Sequence, residues 1–464
     1  MMPTHKLSSL KAALTTLSAA ALLTACASTE NDTQTSQQEI TPATVAEHYA
    51  NLAYAEYSDS LTSAKHLQTR IETFLNNPTP QNLKAAKTVY RQARVPYQQS
   101  EAFRFDLENG HVTPGLDADG GPASIDDWEG QVNAWPLDEA LIDYVDASSY
   151  QGEYNAPANI INSFSTLTVG GEQLDVSNLT PELLASLNEV GGAEANVTTG
   201  IHAIEFLLWG QDTNGTNPGA GKRPVSDYYT QASRGTCTSG PVKSDPKICQ
   251  RRAEYLRAVT SLLISDLSEM ANEWSPEAGE IKGTLRHDFL TRGDGVQRVL
   301  DSMGDMAIGE LASERMKVAI LFGSTEDEHD CFSDATHIAI YNNAQGVINA
   351  YTGTYTRLDG SIVQGPSLSD LVREKDSELD AQVRQQLDQI QQRMQAIVDS
   401  ANSGKAFDQL VGGSKEDKML VLSAAEALVN LEEPLSDGVG KVLAVQVAEF
   451  DAGTCPTDSL ADCG

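Results

Sequence analysis

The chain reads as an all-α protein of two helical-bundle domains, with long loops and room for one small β-hairpin. Three observations predict this. Apolar residues recur at spacings of three and four through long segments: Val45, Tyr49, Leu52, Leu61, Ala64, Leu67, Ile71 and Phe74 early, and Leu379, Val383, Leu387, Ile390, Met394 and Ile397 late. Few segments alternate as a half-buried strand would. The stretch from Gly200 to Trp209 is apolar nearly all round, which marks a helix buried on every side.

Residues 1–25 are read as a leader rather than as fold. Lys6 and Lys11 open it, a run of small and apolar residues follows, and Leu23-Thr24-Ala25-Cys26 closes it. This resembles the bacterial lipoprotein signal, in which cleavage leaves Cys26 as the acylated N-terminus. Ala27, rather than Asp, favours an outer-membrane anchor facing the periplasm. The leader is too short for a stable transmembrane helix, and no other stretch could cross a bilayer, so the lipid would be the only membrane contact. Residues 26–42, rich in Ser, Thr, Asn and Gln, are expected to be a flexible tether.

A first bundle is expected over residues 43–235. Its first helix should end before Pro78, and a second should run from Pro80 to about Phe105 with a kink at Pro96, lining Arg94, Gln98 and Glu101 along one face. Residues 107–131 read as a Gly, Asp and Pro-rich loop. Asn133 to Glu139 should open a shorter helix reaching about Val145, with Pro136 in its first turn. Gly170-Gly171 between two β-prone runs suggests the hairpin. Thr198 or Thr199 can cap the helix that Gly210 ends.

A long polar loop, 213–248, leads to a second bundle over 236–452. Helices are expected around Tyr255 to Trp274, Val296 to Phe322, from Thr336, and around Leu379 to Ile397. Cysteine spacing suggests two local disulfides, Cys237 with Cys249 and Cys455 with Cys463, the second closing a tail over 453–464; Cys331 is left over, buried and inert. With 32 Lys+Arg against 65 Asp+Glu and a net charge of −33, the surface repels nucleic acid and anionic lipid.

Inside the apolar 200–209 helix sit His202 and Glu205, three apart and therefore on one face. A buried carboxylate needs a partner, so the pair is either a satisfied core hydrogen bond or part of a metal or catalytic site. Glu326, Asp327 and His329 belong to the densest run of oxygen and nitrogen donors in the chain, which reads either as ligands or as a solvated acidic loop. No zincin motif, nucleophile elbow, Walker loop or dinucleotide fingerprint occurs. What is left is a helical scaffold with inward carboxylates and a His, the arrangement in which bundles build metal sites.

Gly200-Ile201-His202-Ala203-Ile204-Glu205 resembles the Gly-x-His-x-x-Glu signature of the imelysin family. Ala93-Arg94-Val95-Pro96-Tyr97, Asn133-Ala134-Trp135-Pro136-Leu137-Asp138-Glu139, and Glu326-Asp327-Glu328-His329 with Cys331-Phe332-Ser333-Asp334 resemble further imelysin segments, most like the iron-regulated protein A branch. Ala335 departs from the Ser-Asp-Asn-Thr-His pattern of that last block. The resemblance implies two bundles with the signature helix near their interface, and a role in iron uptake with a metal ion or iron-containing ligand and uptake proteins as partners. His202, Glu205 and Glu101 are the expected metal ligands, for a divalent or ferric ion. Iron is indicated by the resemblance, and zinc also suits the ligand types. Arg94, Asp138, Glu326, Asp327 and His329 are expected to line the site. A peptidase label also attaches to the family; under it Glu205 would be the catalytic residue. A binding module with a purely structural His-Glu pair is the third reading.

Overall fold

The computed structural model describes residues 39–104, 113, 115–116, 121–150, 158–243, 245–448 and 450. The leader, Cys26, most of the tether, Phe105, Cys455 and Cys463 lie outside the described residues.

Helix α1 (Pro42–Asn76) starts where the Thr41 hydroxyl accepts the Thr44 N–H and Pro42 fills a first-turn position that needs no N–H donor. It packs along α2 (Pro80–Ser100), which contains Pro96 and tightens into a 3-10 turn at Glu101–Phe103. The α-helix thus ends sooner than its periodicity suggests.

Two further expectations need correction. The stretch 107–131 is not all loop, because Ser124 caps a short helix α3 (Ile125–Val132) that buries Ile125, Trp128 and Val132. The helix expected from Asn133 shrinks to α4 (Glu139–Ile142), capped by Asp138, with Pro136 outside it. Asp138 rather than Pro136 therefore sets the start: its carboxylate accepts the Ala140 N–H.

The hairpin forms as β1 (Thr166–Val169) and β2 (Glu172–Asp175), antiparallel, with Val169 opposite Glu172. Gly170 and Gly171 both have positive φ, as a two-residue primed turn demands. A second small hairpin, β3 (Thr354–Thr356) with β4 (Ile362–Gln364), was not foreseen. After α5 (Pro181–Leu187) comes α6 (Gly200–Trp209), every residue of which is buried. Neither threonine caps it by side chain: Thr198 donates to the Leu184 carbonyl and Thr199 to that of Gln131.

The second half is helical as expected. It contains α7 (Pro246–Glu273), α8 (Leu285–Arg292), α9 (Gly295–Gly304), a π-helical stretch at Asp305–Lys317, α10 (Val318–Phe322), α11 (Thr336–Thr352), α12 (Leu368–Lys375), α13 (Ser377–Asn402), α14 (Phe407–Val411) and α15 (Lys415–Val429). The Cys237–Cys249 disulfide ties the 213–248 loop to α7, and Cys331 is a buried free thiol. Helix α7 packs on α1 and α6, and α11 packs on α2, so the apolar core runs across both halves. No helix among the described residues is long and apolar enough to cross a membrane.

Candidate metal centre

The signature helix reaches its place through Gly200. Its φ is +74°, and a Cβ there would lie 2.4 Å from the Val132 carbonyl oxygen, so only glycine lets α6 start against the end of α3. One turn on, His202 Nδ1 lies 3.2 Å from Glu205 Oε2, and both side chains are wholly buried. The Ser333 N–H donates to Glu205 Oε1 at 2.8 Å. Asp330 completes the group, its Oδ1 4.0 Å from His202 Nδ1. One ligand atom from each of His202, Glu205 and Asp330 lies within 4.8 Å of the others.

Asp330 is delivered by a backbone folded back on itself. Asp330 and Asp334 both adopt the left-handed conformation, on either side of a 3-10 turn at Cys331–Ser333. Arg94 on α2 meets Asp330 Oδ2 with two bonds, 2.8 and 3.2 Å, while Tyr90 donates to Oδ1 at 3.2 Å. Burial works against the Arg94 charge, but Asp330, Tyr90 and Glu101 outweigh it and hold its pKa above the usual value. Among the described residues no guanidinium or ammonium pairs with Glu205. Burial first, then the Asp330 charge, push its carboxyl above the ordinary range despite the His202 bond.

The remaining wall is aromatic. The Trp135 ring is 4.7 Å from the His202 ring and 5.8 Å from that of His329, and the two imidazoles meet edge-on at 5.6 Å. Burial, then the Arg315 and His202 charges, hold His329 well below its usual pKa, so it stays neutral. His202 Nε2 and His329 Nδ1 are buried without a hydrogen-bond partner. Such a ring can keep Nδ1–H on Glu205 and offer Nε2, or turn the Nδ1 lone pair toward a cation between the carboxylates. Imidazole and carboxylate donors with no thiolate suit iron, zinc or manganese.

Glu101 stands apart from this group. Its Oε1 accepts from Asn133 at 2.8 Å and its Oε2 from Arg315 at 2.7 Å, with Asn343 adding a further donor. Burial would raise it, yet Arg315 and Arg104 prevail and hold it below the ordinary range. Among the described residues it is linked to the site through Asn133, which also accepts from Arg94 at 2.9 Å. Asp138 caps α4 and takes the Tyr150 hydroxyl. Glu326 gives its carbonyl to Trp135 Nε1, while burial and the neighbouring Asp327 raise its carboxyl to about 7. Asp327 is half-buried beside it. Of the residues expected from sequence, Arg94, His202, Glu205 and His329 are brought together. Asp330 was not singled out, because nothing in the acidic run from Glu326 to Asp334 shows which carboxylate turns inward.

The chain is similar to known proteins along most of its length. It is 28% identical over 119 residues to iron-regulated protein A of Synechococcus elongatus, a match that covers 26% of this chain and 27% of that protein. Two crystal structures share its fold. One, of a protein assigned as an iron-regulated protein A precursor from Parabacteroides distasonis, has a TM-score of 0.54 at 17% identity, covering 89% of this chain and 96% of the other. The second, an imelysin-like protein from Psychrobacter arcticum, has a TM-score of 0.53 at 12% identity, covering 89% and 99%. The Imelysin family profile matches residues 53–435, a span that takes in α2, the Gly200–Glu205 signature and the Asp330 turn, and the chain belongs to that family.

Proposed function

We propose that this chain is a lipid-anchored protein facing the periplasm, which holds a transition-metal ion between His202, Glu205 and Asp330 in the service of iron uptake. The observation that carries the reading is a wholly buried trio of donors with two carboxylates, one imidazole nitrogen lacking any partner, and one guanidinium between them. An added cation would relieve the excess of negative charge that a proton otherwise has to cover. Iron enters from the names of the relatives, since affinity order alone would favour copper or zinc. The two-bundle division near residue 235 belongs to the same proposal, and α6 would sit at the junction, packed on both α2 and α7.

Holding fits better than cleaving. A peptidase must bring a polypeptide to Glu205 or to a bound ion, and the three side chains have no exposed surface. The test is elemental analysis with a thermal melt on the wild type, His202→Ala and Glu101→Gln. His202→Ala should lose bound metal and its metal-dependent rise in Tm, while Glu101→Gln loses stability but keeps both. Equal metal content in the wild type and His202→Ala sinks the proposal. Chelator-sensitive cleavage of unfolded polypeptide, abolished by Glu205→Gln, would establish the peptidase reading instead.

A further inference from the structure

The turn that delivers Asp330 has a second acidic side. Asp212 lies just beyond α6, Asp334 closes the 3-10 turn, and Asp408 belongs to α14; one oxygen from each lies within 4.8 Å of the others. Asp212 and Asp408, with Glu139, Glu326 and Glu328, also line a cavity of about 10 Å³, close to the room one water needs.

Carboxylates gathered at a surface are ordinary, but these are not all at the surface. Asp408 is 3% exposed, and neither of its oxygens has a hydrogen-bond partner of good geometry. Glu328 is fully buried; its Oε1 accepts from Thr336, while Oε2 has no partner, and Asp334 Oδ1 likewise has none. Burial raises Asp408 to about 6 against a modest pull from Gln409, and Asp334 to about 7 despite Arg91. Burial raises Asp212 as well, and the hydrogen bonds from Asn214 and then the Lys222 charge oppose it only in part. Asp212 Oδ1 accepts from the Asn214 N–H at 2.9 Å, but the partnerless oxygens of Asp334, Asp408 and Glu328 converge where Arg91 and Lys222 offset the charge only in part.

The donor set is all oxygen, which selects a hard cation over the softer metals suited to imidazole. At Ca–O distances of 2.3–2.6 Å, two oxygens facing each other across a calcium ion are about 4.6–5.2 Å apart, so three oxygens within 4.8 Å can meet around one ion. We propose that Asp212, Asp334 and Asp408, with Glu328 beside them, form a second cation site that takes a calcium-class divalent ion. The ion fastens α14 and the loop after α6 to the 328–334 segment, and so fixes the backbone that presents Asp330 and the Ser333 N–H. The site does not depend on what His202 binds.

The test uses the full chain stripped of metal, with melts and calorimetric titration of calcium and of magnesium into wild type, Asp408→Asn, Asp212→Asn and His202→Ala. Calcium raises the wild-type Tm, and magnesium at equal concentration raises it less, because magnesium sheds its waters reluctantly. Asp408→Asn weakens calcium binding by about tenfold or more. Without calcium, at mildly alkaline pH, the same variant melts at or above the wild type, since it has one uncompensated carboxylate fewer. Asp212→Asn, at a half-buried position, repeats the loss of calcium binding should Asp408→Asn fold poorly. His202→Ala keeps the full calcium response. No calcium response in the wild type, equal responses to calcium and magnesium, or an undiminished calcium response in both Asp variants overturns the assignment.

Discussion

Replacing Arg94 by Met leaves Asp330 as a buried carboxylate without its cation. Both side chains are wholly buried, and the guanidinium supplies two bonds to Asp330 and one to Asn133. Removing one partner of such a pair costs about 3–5 kcal/mol, chiefly for the charge left behind. Unfolding entropy near 2.1 cal/mol/K per residue, over the roughly 400 residues described, gives about 0.8 kcal/mol per degree, so the Tm should fall by roughly 4–6 °C. The assay is a reversible melt in chelator, repeated on Asp330→Asn and on the double variant. If the loss is the stranded charge, Arg94→Met with Asp330→Asn should recover about 2–3 kcal/mol relative to the sum of the single changes. Additive losses would refute this, because the damage would then lie in packing and lost hydrogen bonds rather than in charge.

Glu205→Gln should alter the pH dependence of stability in metal-free protein. The folded carboxyl is raised, so wild-type stability is full below the unfolded value of about 4.5 and declines as pH rises from there through the folded value; the glutamine variant lacks that decline. Melts across about pH 4 to 8 measure it, and a constant difference between the two proteins contradicts the assignment. If the proposed lipid anchor is right, Cys26→Ser should release or mislocalise the protein without changing its melt, since Cys26 precedes α1 in the chain. Membrane fractionation decides this, and an undiminished membrane fraction rules out the lipid anchor.

The helices were legible because their signal is local. The spacing from Val45 to Phe74 and from Leu379 to Ile397 names the buried face of α1 and α13 directly. The His202–Glu205 contact was equally legible, being fixed by three residues of helix. What stayed hidden depends on distant partners. Helix α3 is eight residues long and is held by Trp128 reaching the Asp266 carbonyl across the core, which no local period reveals. The spacing of Glu101 from Arg94 groups the two on one helix face in sequence, but Glu101 falls in the 3-10 turn after α2 and Arg315, 214 positions later, claims it. Asp330 owes its place to two left-handed residues, a conformation that Asp tolerates but does not announce.

The contrast between Glu101 and Glu205 decides which buried acids could take a metal. Arg94, Arg104 and Arg315 share this region with the buried Asp330, Glu101 and Glu205 and the half-buried Glu129 and Glu310. Arg315 and the two asparagines saturate Glu101, and Arg104 bridges Glu129 and Glu310. Glu205 is left facing Asp330 across an imidazole, with one backbone N–H as its other donor. An acid in that position takes up a proton or a cation. Metal capture there would exchange a proton for the ion, and affinity would climb as pH rises through the Glu205 range. Arg94 cannot be exchanged in the same way, because its charge is permanent. By holding Asp330 Oδ2 it steers Oδ1 toward His202, so the group would offer an ion one oxygen of Asp330, the carboxylate of Glu205 and one ring nitrogen, and Glu101 would stay outside whatever the metal.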